Sequence, residues 1–215
     1  MTALKTILLT GFEPFGGEAI NPSWEVARAL HGEMIGGARV EALQLPCVFG
    51  ESIQVLGETM RQRQPGLVLA LGQATGRSAL SLERVAINLI DARIADNAGR
   101  QPIDEPVIAG APAAHFTKLP VKAMVAGLRA AGYPAELSFT AGSFVCNEVF
   151  FGLMQLLSGK AIRGGFMHLP CLPEQAAHKP APSMALVTMV GGVRLALELA
   201  MNTQADIREA GGTIS

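Results

Sequence analysis

Two residues of this sequence could act as one chemical unit: Cys146, in Gly142-Ser-Phe-Val-Cys-Asn147, and His168, in Gly165-Phe-Met-His-Leu-Pro170. The apolar-periodic run Glu148 to Leu157 follows the cysteine, so Cys146 stands where a short extended segment gives way to a helix. The first amides of a helix lack intrahelical partners and carry partial positive charge. A thiol there is expected to lean toward the thiolate, its nucleophilic form. His168 follows 22 positions later, at the end of an apolar strand. A cysteine and a histidine within hydrogen-bond reach can generate a nucleophile and later protonate a leaving amine. Each also has a plainer role, the histidine as a satisfied core residue and the cysteine as a small buried hydrophobe. Chemistry gains weight because both end an element on the same side of the expected sheet.

A third group should fix the imidazole tautomer. Glu83, in Ser81-Leu-Glu-Arg-Val-Ala-Ile-Asn88, is a candidate, although an ion pair with Arg84 would explain it equally well. Asp91, Asp96 and Asp104 are rivals that no spacing rule removes. Arg93, together with the backbone amide of Cys146, could stabilise an anionic tetrahedral intermediate. Cys47 and Cys171 lack a comparable context, and neither a His-x-x-x-His nor a Cys-x-x-Cys pair suggests zinc. The loop Gly11-Phe-Glu-Pro-Phe-Gly-Gly17 lacks the Gly-Lys-Ser/Thr ending and the Gly-x-Gly-x-x-Gly spacing of phosphate-binding loops. Phe12 and Phe15 would instead suit a flat, uncharged ligand held between rings, or would pack into the core beneath the loop.

The elements that must position these residues alternate between strand and helix. Lys5 to Thr10, Arg39 to Pro46, Gly66 to Leu71, Arg84 to Leu89, Ala135 to Phe139 and Gly165 to Leu169 read as strands. Helices are expected after Asn21-Pro-Ser23, over Glu51 to Arg63, Pro120 to Ala131, Asn147 to Leu157 and Ser183 to Met201. Asp91 to Gly110, with its glycines and prolines, reads as a long irregular loop. This alternation predicts an α/β fold whose mixed or parallel sheet is covered on both faces. Ligands on such sheets bind beyond the carboxyl ends of the strands, which directs attention to the loops after Thr10, Leu71, Phe139 and Leu169.

With 215 residues, no internal repeat and no low-complexity linker, the chain is read as one domain over 1–215. A formal net charge of -1 gives no reason to expect nucleic acid or an anionic membrane as partner. The run from Met1 to Leu9 reads as a first strand and not as a signal peptide. The longest uncharged stretch, Pro180 to Val193, is 14 residues, short of the ~20 that a spanning helix needs, and reads as a buried helix. Three cysteines without paired spacing suggest free thiols in a reducing compartment, hence a soluble cytoplasmic protein. Hydrophobic residues at 49% fit a large core or surface hidden in an oligomer.

Taken in order, Thr10-Gly-Phe-Glu-Pro-Phe-Gly-Gly17 with Asn21-Pro-Ser23, Gly72-Gln-Ala-Thr-Gly-Arg77, Glu83 to Asn88 with Asp91-Ala-Arg93, and the Cys146 and His168 segments resemble the pyroglutamyl-peptidase I family, also called pyrrolidone carboxyl peptidases. The resemblance implies a cysteine exopeptidase that removes N-terminal pyroglutamate from peptides, built as a single three-layer α/β/α domain with a mixed, mostly parallel sheet. It implies no cofactor, a cytoplasmic location and a homotetramer. By resemblance Cys146 is the nucleophile, His168 the general base and acid, and Glu83, ahead of the aspartates, the third member of a triad. Phe12, Phe15, Phe144 and Val145 match the pocket lining, Asn21 and Gln73 polar groups near it, and Arg93 a residue associated with the oxyanion. Ser143-Phe144 and Thr75 depart from the usual pattern, and Cys171, three residues after His168, adds a thiol that could form a disulfide with Cys146. A small lactam without a charged amine calls for such an apolar pocket with a few amide-directed hydrogen bonds. Two other classes compete: a glutamine amidotransferase-type amidase, for which the Gly-x-Cys-x-Gly elbow is missing, and a binding module with an inert cysteine.

Overall fold

The apolar runs of the sequence become the middle of a sheet in the computed structural model, which describes residues 5–177 and 180–212. Of the run from Met1 to Leu9, residues 1–4 thus lie outside the described part. In chain order, β1 (Lys5–Phe12) leads to α1 (Pro22–Leu30), β2 (Met34–Ile35), β3 (Ala38–Leu45) and α2 (Glu51–Arg63). Next come β4 (Leu67–Gln73), β5 (Leu80–Glu83), β6 (Val85–Ile87), β7 (Ala114–Phe116), α3 (Val121–Ala130), β8 (Ala135–Ser138) and α4 (Val145–Leu156). β9 (Arg163–Leu169), the single turn α5 (Pro173–Ala176) and α6 (Leu186–Asn202) follow.

Seven strands form one sheet in the order β2-β3-β1-β4-β9-β5-β8, while β6 and β7 make a separate ribbon. β3, β1, β4 and β9 run parallel, β5 turns antiparallel against β9, and β8 follows β5. Every residue of β4 is buried, which is why its sequence is a continuous apolar run instead of an alternating one. On one face Ile7, Leu9, Leu69 and Met167 pack with Val26 and Leu30 of α1, Met124 and Leu128 of α3, and Val193 and Leu197 of α6. On the other face Leu8, Val68, Ala70 and Phe166 pack with Leu56 of α2 and Phe150 and Leu153 of α4. The three-layer α/β/α order and the mixed, mostly parallel sheet are those expected from the sequence.

Two differences from the sequence reading bear on the site and its surroundings. The strand expected over Arg84 to Leu89 is two pieces: β5 ends at Glu83 inside the main sheet, and β6 belongs to the ribbon. Glu83 is therefore the last residue of a sheet strand, not the polar flank of one. The closing helix begins at Leu186, not Ser183, because Ser183 bridges to Cys171 and the Met184 amide bonds the Cys171 carbonyl. Pro180 to Ala185 is accordingly extended chain, and only the later part of the uncharged stretch is helical.

Candidate functional site

β9 places His168 between two strands, with Gly72 of β4 as its partner on one side and Ser81 of β5 on the other. In an antiparallel pair, directly opposed residues share a face with those two further along, so Ser81, Glu83 and His168 project to one side. Glu83, with no exposed surface, accepts a hydrogen bond from His168 Nδ1 at 2.7 Å. A carboxylate can only accept, so the shared proton sits on Nδ1 and leaves Nε2 as the basic nitrogen. The imidazole is 3% exposed and packs on Phe166, with ring centroids 4.9 Å apart.

Cys146 reaches the same spot from the opposite layer, as the second residue of α4. A Cβ added to Gly72 would lie 2.9 Å from Cys146 Sγ and 2.8 Å from Phe166 Cζ. Because Gly72 is the strand partner of His168, the thiol and the imidazole close around one backbone position that glycine keeps open. Glu83 Oε1 accepts hydrogen bonds from both Arg77 and His168, and the thiol stands beside that pair. No side chain caps α4 at Phe144, so its first amides, Cys146's included, face the site without a capping partner.

Electrostatics correct one sequence expectation. Burial, with the neighbouring Cys47 and Glu83, pushes the Cys146 thiol up instead of toward the thiolate, and Arg77 opposes this only in part. Dense surroundings outweigh the helix terminus, although the residue keeps some surface. Burial also holds the His168 imidazole below its ordinary value, against the raising effect of Glu83. Both shifts favour the uncharged form of their group.

The walls around the thiol are aromatic. Phe144 packs against Phe15 at 6.1 Å between centroids and edge-on to Phe49 at 5.1 Å. Phe12 and Val145 are buried, at the end of β1 and the start of α4. The long loop after Ile90 clasps both walls. Asn97 donates to Glu13 Oε1 and the Pro14 carbonyl, while Asp91 and Ser143 exchange two hydrogen bonds. Arg93 is exposed in this loop, two residues from the Asp91 clasp.

Asn21 and Gln73 are engaged by the protein itself. Asn21 caps α1 through Ser23 and donates to the Glu13 carbonyl, which shapes the Phe12–Phe15 loop. Gln73 accepts from Gln175 and donates to Thr75 and Cys171. The Cys171 thiol donates in turn to Thr75 Oγ1, and all three cysteines are free, so the disulfide considered with Cys146 is not formed. Asp96, one of the rival orienters, is spent elsewhere: burial works against its charge, but the amides of Arg100, Phe49 and Ala98 hold its carboxyl below the ordinary value.

Sequence reasoning missed Phe49 and Asn97 and gave no role to Arg77. Phe49, ahead of Gly50 in a loop after a strand, carried the same pattern as Phe12 and Phe15 and was readable by it. Arg77 reaches Thr140 across 63 positions and Asn97 reaches Glu13 across 84, and no local pattern announces those two contacts. No helix among the described residues is long and apolar enough to cross a membrane.

The chain is similar to known proteins over nearly its whole length. A family model described as pyroglutamyl peptidase matches residues 5–203. A pyrrolidone-carboxylate peptidase of Cupriavidus necator is 58% identical over 215 residues, covering 98% of this chain and 100% of the relative. One from Erwinia tasmaniensis is 55% identical over 210 residues, with coverage of 97% and 99%. Among solved structures, pyroglutamyl peptidase I of Bacillus amyloliquefaciens superposes with a TM-score of 0.94 at 46% identity, covering 96% of this chain and 99% of that one. A mutant pyrrolidone carboxyl peptidase of Pyrococcus furiosus gives 0.89 at 41% identity, with coverage of 91% and 98%.

Proposed function

This chain belongs to the pyroglutamyl peptidase family, a family of cysteine peptidases, and from that membership we propose that Cys146, His168 and Glu83 form its catalytic triad. The observation that carries the reading is the 2.7 Å hydrogen bond from His168 to a buried Glu83 beside the Gly72 gap that admits the Cys146 thiol.

Attack begins from the neutral pair. His168 Nε2 takes the proton as Cys146 Sγ adds to the pyroglutamyl carbonyl, and Glu83 stabilises the imidazolium that forms. The uncapped start of α4 supports the oxyanion through the Cys146 amide, with Arg93 brought in from the loop clasped to Ser143. The imidazolium then protonates the departing amine, and water hydrolyses the thioester with His168 again as base. The lactam ring lies against Phe15 and Phe144, with buried Phe12 and Val145 packed behind them. Gln73, held by Gln175, Thr75 and Cys171, and Asn21, which holds the loop that carries Phe12 and Phe15, act on the pocket indirectly. The substrates are peptides with N-terminal pyroglutamate. The same reading carries a cytoplasmic homotetramer, for which exposed Phe116 and Val187 offer apolar surface to cover; sedimentation that finds a monomer would remove that part.

The test is hydrolysis of a chromogenic pyroglutamyl amide. Wild type should release the amine, and Cys146→Ala should lose activity by about 10⁴-fold or more. Full activity in Cys146→Ala would sink the triad.

A further inference from the structure

Arg77 has contacts that the triad alone does not use. It leaves β4 through a turn in which its amide bonds the Ala74 carbonyl and Gly76 has φ 97°, a left-handed conformation that glycine adopts at little cost. That turn sends the guanidinium back to the site. Nη1 donates to Glu83 Oε1 at 2.8 Å and Nη2 to the Thr140 carbonyl at 2.8 Å. Glu83 Oε1 therefore receives both His168 and Arg77, while Oε2 is buried without a partner. A carboxylate with no exposed surface is costly to keep ionised unless its charge is matched. A neutral imidazole cannot match it. Among the described residues, Arg77 is the one arginine or lysine within ion-pair distance of Glu83.

Resting on the triad reading above, we propose that Arg77 is a positioning residue for catalysis: it holds the Glu83 carboxylate oriented on the His168 ring, and through Thr140 it fixes the segment leading into Cys146. Three elements meet in its side chain. The turn after β4 supplies the guanidinium, β5 supplies Glu83, and the connection from β8 to α4 supplies the carbonyl six residues ahead of the thiol. Surface arginines that pair with carboxylates contribute little to stability. This one has 23% of its side-chain surface exposed and its partner none, so its charge is weakly screened where the proton moves. That charge also bears on both reacting groups, lowering the proton affinity of Cys146 and of His168. The titratable and charged groups around the imidazole are Glu83 from β5, Arg77 from the turn and Cys146 from α4, with Cys47 behind the thiol.

The experiment is the pH profile of pyroglutamyl amide hydrolysis by wild type, Arg77→Ala and Arg77→Lys, beside Glu83→Gln. Arg77→Ala should lower kcat about 10- to 100-fold with KM within about twofold, the size expected for losing a charged hydrogen bond in the transition state. Its acidic limb of kcat/KM should move to higher pH, because without the cation His168 keeps its proton longer. A purely structural role would lower Tm and leave that limb in place, which would overturn the proposal. Should Arg77→Ala fail to fold, Arg77→Lys decides. It keeps the charge but cannot span Glu83 and Thr140 as a fork, so the limb should stay while kcat falls about 3- to 10-fold. Wild-type kcat in Arg77→Lys would overturn the role. Glu83→Gln separates the two claims. If it is fully active, the triad reading fails; if it is impaired while the Arg77 variants match wild type, only the role of Arg77 is lost.

Discussion

At the scale of single residues, burial sets the chemistry more than sequence position does. Cys146 sits at a helix start, yet its thiol is pushed up, and His168 sits beside a carboxylate, yet its imidazole is pushed down. Both shifts favour the neutral forms of the thiol and the imidazole. Glu148, two residues after Cys146, obeys the same rule. One oxygen accepts the Gly50 amide, the other is buried without a partner, and burial lifts the carboxyl to about 7. Its native state thus binds a proton that the unfolded chain has released by pH 4.5. Stability contributed by that proton is complete below about pH 4.5 and is lost as pH rises through about 7. Glu148→Gln removes this slope. Denaturant unfolding should show the variant gaining on wild type by about 1–3 kcal/mol between pH 5 and pH 8. An offset that is the same at both pH values would contradict the shift.

At the scale of elements, the site is a gap between β4 and the first turn of α4, and Gly72 is its narrowest point. An added methyl would overlap both Cys146 Sγ and Phe166 Cζ. Gly72→Ala should therefore cost about 1–3 kcal/mol of stability through overpacking. It should also lower kcat/KM about tenfold or more by moving the nucleophile off line. Kinetics together with thermal unfolding check both, and wild-type kcat/KM would refute the placement of the thiol against β4. These elements differ in how plainly the sequence announces them. β4 reads at once, because a strand buried on both faces must be apolar throughout. α4 reads from its periodicity, starting two residues earlier than expected. β5 hides, since Leu80 and Leu82 face the core while Ser81 and Glu83 face the site, and a polar residue turned toward chemistry looks like one turned toward water. For that reason local pattern does not distinguish Glu83 from the three aspartates; the resemblance selects it, and the strand pairing brings it to His168.

At the scale of the whole molecule, the reversal of β5 against β9 makes the geometry of the proposed triad a property of the sheet. Glu83 meets His168 only because β5 runs against β9 and pairs Ser81 with His168. β5 is in turn held by β8, whose neighbour α3 is secured by the end of the chain. α3 begins after Pro120 with no side-chain cap of its own. Asp206 supplies one from 83 positions away, its Oδ1 accepting the Ala123 amide at 2.9 Å and its Oδ2 the Lys122 amide at 3.3 Å. A carboxylate at a helix start satisfies open donors and complements the dipole, an effect of about 1 kcal/mol. Arg84 lies 3.6 Å from the same carboxylate, so the chain end is linked to the residue next to Glu83. Asp206→Ala should lower Tm by about 2–4 °C and leave kcat/KM unchanged, because the lost contacts bear on α3 while β5 keeps its pairing with β9 and β8. Differential scanning calorimetry beside the pyroglutamyl amide assay measures both. A fall in kcat/KM without a fall in Tm would mean that the chain end acts on the site through Arg84, and that the sheet alone does not hold Glu83 in place.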